Sequence, residues 1–168
     1  MTEETIRPVV RRATRADLGS LGRLGALMVE QHHRFDERRF LAPTPHTVEA
    51  YAAFLGTQLD NPAALVLVAE HDAHVIGYAY AAVEGVDYVS LRGPAALLHD
   101  LIVDPACRGR GVGEALLDAT LTALVPHRVP RIVLSSAERN EGAQRFFARM
   151  GFRRTMIEMT RELDDDRS

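Results

Sequence analysis

The chain has 168 residues, of which 46% are apolar and 26% charged, the balance of an ordinary globular protein with room for one hydrophobic core. The formal net charge of -3 gives no general attraction to nucleic acid, and the longest apolar runs are too short to span a bilayer. The single cysteine, Cys107, excludes an intrachain disulfide, and the N-terminus lacks the apolar core of a secretion signal. We therefore expect one cytoplasmic domain over residues 1–168, with its core at 7–163 and an acidic tail at 164–168. We expect neither nucleic acid nor a membrane as a partner.

The first third of the chain is predicted to form one strand and two helices. A short strand is expected at 8–13, followed by a helix that begins after a capping pair and runs to about Gln31. The charged stretch from His32 to Pro45 is interpreted as a loop. An apolar stripe then predicts a second helix, which ends at Asn61.

The remaining elements alternate between strands and helices. Strands are predicted at Leu65–Glu70, Val75–Glu84, Ala95–Val103, Arg131–Ser136 and Thr155–Leu163, with helices from Gly109 to about Pro126 and from Asn140 to Gly151. The predicted order is βααβββαβαβ, with four main helices. This order indicates a mixed α/β (α+β) protein.

The stretch 97–117, LLHDLIVDPACRGRGVGEALL, passes from a predicted strand into a predicted helix through alternating arginine and glycine. The start of a helix carries unpaired N–H groups and partial positive charge, and glycine lets an anion approach that backbone closely. The pattern therefore predicts a phosphate-binding loop. The loop is not a Walker loop, because no lysine follows the glycines, and its spacing does not fit the dinucleotide fingerprint.

The loop resembles the (Q/R)xxGx(G/A) motif of the GCN5-related N-acetyltransferases, with Arg108, Gly111 and Gly113 at the defining positions. A second stretch, NEGAQRFFARMGF at 140–152, resembles the family pattern N-x-x-A-x-x-x-Y-x-x-x-G-F, with Phe147 in place of the usual tyrosine. By element order the resemblance covers roughly 65–163.

The resemblance implies a single-domain fold with a mixed sheet of six to seven strands that splays open beside the strand ending at Val103. Acetyl-CoA would lie in the split as co-substrate, without a metal. Its pantetheine would pair with the backbone of Leu101, Ile102 and Val103, and Asn140 and Phe147 would lie beside it. Its pyrophosphate would contact the loop residues Arg108, Gly109, Arg110, Gly111, Val112 and Gly113.

The resemblance also suggests a general base. The run 98–103, LHDLIV, resembles a family pattern that places a glutamate base where His99 stands, and the ordinary pKa of histidine suits this task near neutral pH. A purely structural histidine is the open alternative. Asp100 is expected on the opposite face of a regular strand, away from the cleft.

The function implied is acetyl-CoA-dependent transfer of an acetyl group to a primary amine by direct attack in a ternary complex. Because Phe147 has no hydroxyl to protonate the leaving thiolate, a non-catalytic acyl-CoA-binding or sensing domain of the same fold is the alternative. The acceptor, a small-molecule or peptide amine, stays open. The resemblance also makes a homodimer plausible.

Overall fold

The computed structural model describes residues 5–163, so the predicted acidic tail at 164–168 lies outside the described residues. Within them, one sheet contains strands β1 (Val9–Arg12), β2 (Ala64–His71), β3 (His74–Glu84), β4 (Ala95–Val103) and β5 (Ile132–Leu134). The helices that pack on it are α1 (Leu18–Phe35), α2 (Thr47–Leu59), α3 (Val112–Leu124) and α4 (Glu141–Arg149). Among these helices, none combines the length and the hydropathy that a bilayer crossing requires.

The sheet is mixed, as predicted. Its order is β1-β2-β3-β4-β5, and every neighbouring pair is antiparallel except β4 and β5, which are parallel. The parallel pair is short and runs from Ala96 opposite Ile132 to Leu98 opposite Leu134. Beyond Leu98, β4 therefore has a strand neighbour on one side only within the described residues.

The two faces of the sheet bury different side chains. Tyr78 and Tyr80 project from β3 into the apolar cluster under α1 and α2, whereas Ala79 and Ala81 project into the cluster under α3. This separation of aromatic and small residues follows from the two-residue period of a strand. The small residues leave room on the α3 side for Leu116, which is fully buried.

Helix α1 is one turn longer than predicted. It ends at Phe35 rather than near Gln31, so the residues expected to start a loop continue the helix. The glycines that lower its intrinsic helix propensity have a packing role, because a Cβ on Gly22 would overlap the Val48 carbonyl and one on Gly25 would overlap the Tyr51 ring. Helix α2 thus lies closer to α1 than side chains at these positions would permit.

The strand predicted at Thr155–Leu163 does not form, and the described sheet has five strands rather than six to seven. Residues 153–163, which we call the C-terminal arm, instead attach by ion pairs to the loop between α1 and α2, where Arg39 binds Glu158 and Arg38 approaches Glu162. A strand needs a pairing partner as well as a suitable pattern. The adjacent apolar residues Met156 and Ile157 give this segment no continuous buried face, and both are exposed.

Candidate functional site

The divergence of β4 from β5 opens a cavity of about 240 Å³. One wall comes from β4, the end of β5 and α4, and includes His99, Leu101 and Phe147. The opposite wall comes from α1 and α2 and includes His32 and Tyr51. The backbone split thus brings aromatic, histidine and strand-backbone groups to one place.

A bulge in β4 decides which side chains face this cavity. Tyr80 of β3 pairs with Asp100 and its neighbour Ala81 pairs with Leu98, so His99 is an extra residue in β4. The bulge shifts the alternation, because Leu98 packs in the cluster on the α3 side while Asp100 bonds to tyrosines on the α1 and α2 side. The prediction for Asp100 assumed a regular strand, which the bulge interrupts, although Asp100 is not among the residues that line the cavity.

The predicted base, His99, is held by an aromatic ring and approached by a carboxylate. Its ring stacks on Tyr80 with centroids 4.9 Å apart, and its Nε2 lies 3.7 Å from Oε1 of Glu84. The other oxygen of Glu84 accepts a hydrogen bond from Arg92 at 2.8 Å. The side chain of His99 is 36% exposed, so it can exchange protons with the cleft and with water.

Asp100 lies beneath the cleft as a buried carboxylate. Its Oδ2 accepts hydrogen bonds from the hydroxyls of Tyr51 at 2.7 Å and Tyr78 at 2.9 Å. Burial raises the pKa of Asp100, and the two hydroxyl donors oppose that rise. Burial and the nearby carboxylate raise the pKa of both tyrosines, so their hydroxyls stay protonated and act as donors. In the described part of the chain, no three His, Cys, Asp or Glu side chains cluster as metal ligands.

The open edge of β4 presents backbone groups to the split. The N–H of Asp104 donates to the carbonyl oxygen of Ile76 in β3. Because backbone groups alternate along a strand, the N–H and C=O groups of Ile102 also face β3, and those of Leu101 and Val103 face the open edge. The carbonyl of Val103 already accepts a bond from Nε of Arg108 at 3.0 Å. Of the three residues predicted to pair with the pantetheine, Leu101 therefore has the backbone groups best placed to pair with an extended ligand.

The glycine loop forms the entry to α3. Gly109 and Gly111 have φ values of 74° and 89°, a region that disfavours other residues, and Gly111 is the N-cap residue. No side chain of the N-cap residue bonds the first turn, whose N–H groups lack intrahelical partners. Both arginines of the loop contact other parts of the chain. The Arg108 guanidinium donates to the side-chain oxygen of Gln31 at 3.3 Å, and the backbone carbonyl of Arg110 accepts a hydrogen bond from the N–H of Ile6.

The cavity wall from β5 and α4 carries three further groups. Asn140, where the last helix was predicted to begin, caps α4 with its side-chain oxygen, which accepts from the Ala143 N–H at 3.2 Å. Phe147 packs edge-on against Phe146 and Phe152 and lines the cavity. Ser136 also lines the cavity, and its Oγ is a buried oxygen without a hydrogen-bond partner among the described residues.

Sequence reasoning missed two residues that the fold places at the cavity. Tyr51 stands in the apolar stripe of α2 and was interpreted as core, and nothing in the sequence indicates its contact with Asp100. His32 was assigned to a charged loop. A signal for its position did exist, because His32 continues the stripe of Leu24 and Met28 at intervals of four residues.

The chain is similar to known proteins in both sequence and structure. The sequence model described as "Acetyltransferase (GNAT) family" matches residues 28–152. An uncharacterized N-acetyltransferase of Mycobacterium tuberculosis strain H37Rv is 30% identical over 97 residues, 56% of each chain. A mycothiol acetyltransferase of Clavibacter michiganensis is 48% identical over 67 residues, which cover 40% of this chain and 18% of that protein. The chain thus spans about half the length of the mycobacterial relative that it matches.

Solved structures share the fold over nearly the whole chain. A tetramutant of the BH1408 protein from Bacillus halodurans superposes with a TM-score of 0.80 and 23% identity, covering 92% of this chain and 99% of the other. Aminoglycoside N-acetyltransferase AAC(6')-Iy in complex with CoA superposes with a TM-score of 0.72 and 19% identity, covering 98% and 99%. At these identities the superpositions establish a common fold.

Proposed function

Because the chain belongs to the GNAT family of acetyltransferases, we propose that it is an acetyl-CoA-dependent N-acetyltransferase acting on a primary amine. The observation that carries the proposal is the split between β4 and β5, which opens a cavity lined by two histidines beside the strand that leads into the glycine loop. In this proposal both substrates are bound together, and the amine attacks the thioester directly. A fold alone hosts many functions, so the argument rests on these groups.

The cofactor would lie along the open edge of β4. Its pantetheine amides would pair with the backbone around Leu101, and its pyrophosphate would contact the N–H groups at Gly111, Val112 and Gly113. Arg108 and Arg110 would add positive charge beside the phosphates. Asn140 and Phe147 would border the pantetheine end, where the thioester carbon lies.

The reaction needs a neutral amine and a donor for the oxygen of the thioester. An alkylamine of lysine type has an ordinary pKa of about 10.4 and arrives protonated at neutral pH. His99, with Glu84 beside it, would accept that proton, and the N–H of Leu101 would donate to the developing oxyanion. The carboxylate of Glu84 would stabilise the imidazolium that forms.

The alternative is a non-catalytic domain that binds acyl-CoA. The observation that favours it is Phe147, which lines the cavity without a hydroxyl that could protonate the leaving thiolate. Both functions require acetyl-CoA binding, and only the enzyme releases free CoA when an amine is added.

Calorimetric titration with acetyl-CoA, CoA and ATP tests the cofactor first. We expect micromolar binding of acetyl-CoA, none of ATP, and loss of binding in Gly113→Glu, whose side chain would add negative charge at the phosphate position. A Cβ on Gly113 meets only ordinary contacts, so this variant avoids the strain of the positive φ at Gly111. Gly142→Glu is the matched control, because Gly142 has open space and lies outside the loop. Equal binding of ATP, or unchanged binding in Gly113→Glu, would contradict the proposal.

Turnover is then measured as release of the CoA thiol with a panel that contains an aminoglycoside, spermidine, phenethylamine and a peptide with a free N-terminus. We expect His99→Gln to lower kcat with the best amine by about 100-fold, as loss of a general base does. The acid limb of its pH–rate profile should also flatten. Binding of acetyl-CoA without thiol release from any amine would favour the non-catalytic alternative, and an unchanged pH profile would exclude His99 as the base.

A further inference from the structure

His32 lies on the wall of the cavity opposite β4. It belongs to the last turn of α1, one helical step after Met28, so its side chain projects from the face that packs toward the sheet. It lines the same cavity as His99 and Phe147. The additional turn of α1 is what brings a second histidine into the site.

The ring of His32 is fixed in orientation. Its Nδ1 lies 2.8 Å from the carbonyl oxygen of Met28, and its edges contact Phe35 and Phe40 at centroid distances of 5.9 Å and 5.1 Å. A carbonyl oxygen only accepts hydrogen bonds, so Nδ1 carries the hydrogen and the neutral ring has its lone pair on Nε2.

The second nitrogen of His32 is available to a ligand. Nε2 has no hydrogen-bond partner among residues 5–163, and it is not among their buried polar atoms that lack a partner. His32 lines the cavity and its Nε2 is not fully enclosed by protein atoms, so this nitrogen is open to contact with a bound molecule. A ring that is anchored at one nitrogen and open at the other can accept and return a proton without moving.

Acetylation of a primary amine releases two protons from the attacking nitrogen. The ammonium group loses one before attack, and the nitrogen of the tetrahedral adduct loses another as the amide forms. The departing CoA thiolate gains one proton, so the net release is one. The proposed function assigns the first proton to His99, and Phe147 leaves the thiolate without the hydroxyl donor of the family pattern.

We propose that His32 accepts the second amine proton at Nε2 and delivers it to the sulfur of the leaving thiolate. The C–N bond forms, the C–S bond breaks, and His32 returns to its neutral form in the same turnover. The proton that His99 accepted passes to solvent. This inference rests on the proposed acetyl transfer and names a catalytic residue that the family motifs do not include.

The groups that face His32 suit this role. Asp100 of β4 accepts a hydrogen bond from Tyr51, which lines the same cavity as His32. Tyr51 of α2 and His99 of β4 border the same cavity, and the Arg39 guanidinium lies 4.9 Å from the centre of the Phe40 ring that packs on His32. In this proposal Asp100 would stabilise the transient imidazolium through space, because its side-chain hydrogen bonds come from Tyr51 and Tyr78 and leave the proton of His32 free to move on.

The test compares His32→Ala with His33→Ala, the neighbouring histidine, in the full chain. With the best amine of the panel, we expect His32→Ala to lower kcat about 100-fold while the KM for acetyl-CoA stays within twofold. Imidazole added to the buffer should restore at least a tenth of the lost rate, because it can occupy the vacated space and carry the proton. His33→Ala should keep the kcat of the wild type, and added imidazole should not alter it. A kcat within twofold of wild type, or a loss that imidazole does not restore, would overturn the proposal.

A second measurement does not depend on turnover. Imidazole ¹⁵N spectra of the full chain should show His32 as the Nδ1–H tautomer, and saturating acetyl-CoA should shift its Nε2 resonance but not that of His33. An Nε2–H tautomer, or no shift with acetyl-CoA bound, would overturn the role of His32 even if transfer is observed. Absence of transfer in wild type, with the expected spectra, would instead contradict the proposed function.

Discussion

Asp17 shows at the scale of one residue how a capping position is also an electrostatic one. It accepts two hydrogen bonds from the Arg11 guanidinium, at 2.8 Å and 2.9 Å, and one from the Thr14 N–H at 2.7 Å. The Arg11 bonds lower the pKa of Asp17 to about 2, although burial opposes this. A carboxyl whose pKa is lower in the folded than in the unfolded state stabilises the fold fully above the unfolded value, near 3.8. That contribution is lost as the pH falls through about 2.

We expect Asp17→Asn to reduce the free energy of unfolding at pH 7 by about 2 kcal/mol, because it removes charge-assisted hydrogen bonds in a buried position. Urea unfolding between pH 7 and pH 2 should also show a shallower loss of stability than in wild type. Asp60→Asn is the control, since Asp60 forms an ion pair with Arg15 in which both side chains are 67% exposed. Equal effects of the two substitutions would show that burial of Asp17 contributes nothing.

At the scale of elements, the contact between α1 and α2 depends on glycines. The ring of Tyr51 occupies the space that a Cβ on Gly25 would need, and its hydroxyl is tied to the buried Asp100. The ring cannot move aside without breaking that bond. Tyr51 therefore connects the packing of α1 on α2 with the buried Asp100 beneath the cavity.

We expect Gly25→Ala to destabilise the protein by about 1–3 kcal/mol through overpacking, in spite of the better helix propensity of alanine. Gly19→Ala in the same helix should leave stability unchanged or raise it by up to about 1 kcal/mol, because its Cβ would enter open space. Thermal unfolding monitored by circular dichroism compares the two. A stabilising Gly25→Ala would mean that the helices can separate at no cost.

At the scale of the whole molecule, the C-terminal arm contributes little to the folded body. Its described ion pairs, such as Arg39 with Glu158 and Arg154 with Glu138, join exposed side chains. The apolar residues Ile157, Met159 and Leu163 are between 73% and 88% exposed. The two cores form without it.

A chain that ends after Arg153 should therefore fold normally. Exposed ion pairs contribute about 0–1 kcal/mol each, so the pairs of the arm with Arg38, Arg39 and Glu138 contribute at most about 3 kcal/mol together, and the melting temperature should fall by less than about 10 °C. Differential scanning calorimetry of the shortened and full chains measures this. A much larger fall would show that the arm packs against apolar surface.

The parts of the fold that depend on local pattern could be predicted from the sequence. The bounds of the last helix were predicted at Asn140 and Gly151, because each depends on a single side chain or its absence: Asn140 is the cap, and Gly151 has a φ of 88°. The glycine loop was located in the same way. Its position after a strand and before a helix was confirmed.

The features that depend on distant partners could not be predicted. The pattern at Thr155–Leu163 allows a strand, but the choice between sheet and arm is made by arginines more than 100 positions earlier. The bulge at His99 leaves no mark in the apolar pattern, and it decides the direction of Asp100. The extra turn that carries His32 is charged on one side and was interpreted as a loop for that reason.

The bulge also constrains recombination between members of this family. In a related β4 that lacks the extra residue, one position fewer separates the residues equivalent to Leu98 and Asp100. If the first half of β4 were replaced by such a strand, the side chains that follow would change faces of the sheet. Asp100 would then lose its hydrogen bonds with the hydroxyls of Tyr51 and Tyr78, and the buried hydroxyl of Tyr78 would have no acceptor in the apolar core. Functional chimeras should therefore have junctions that keep His99 and Asp100 on the same parental segment as the two tyrosines.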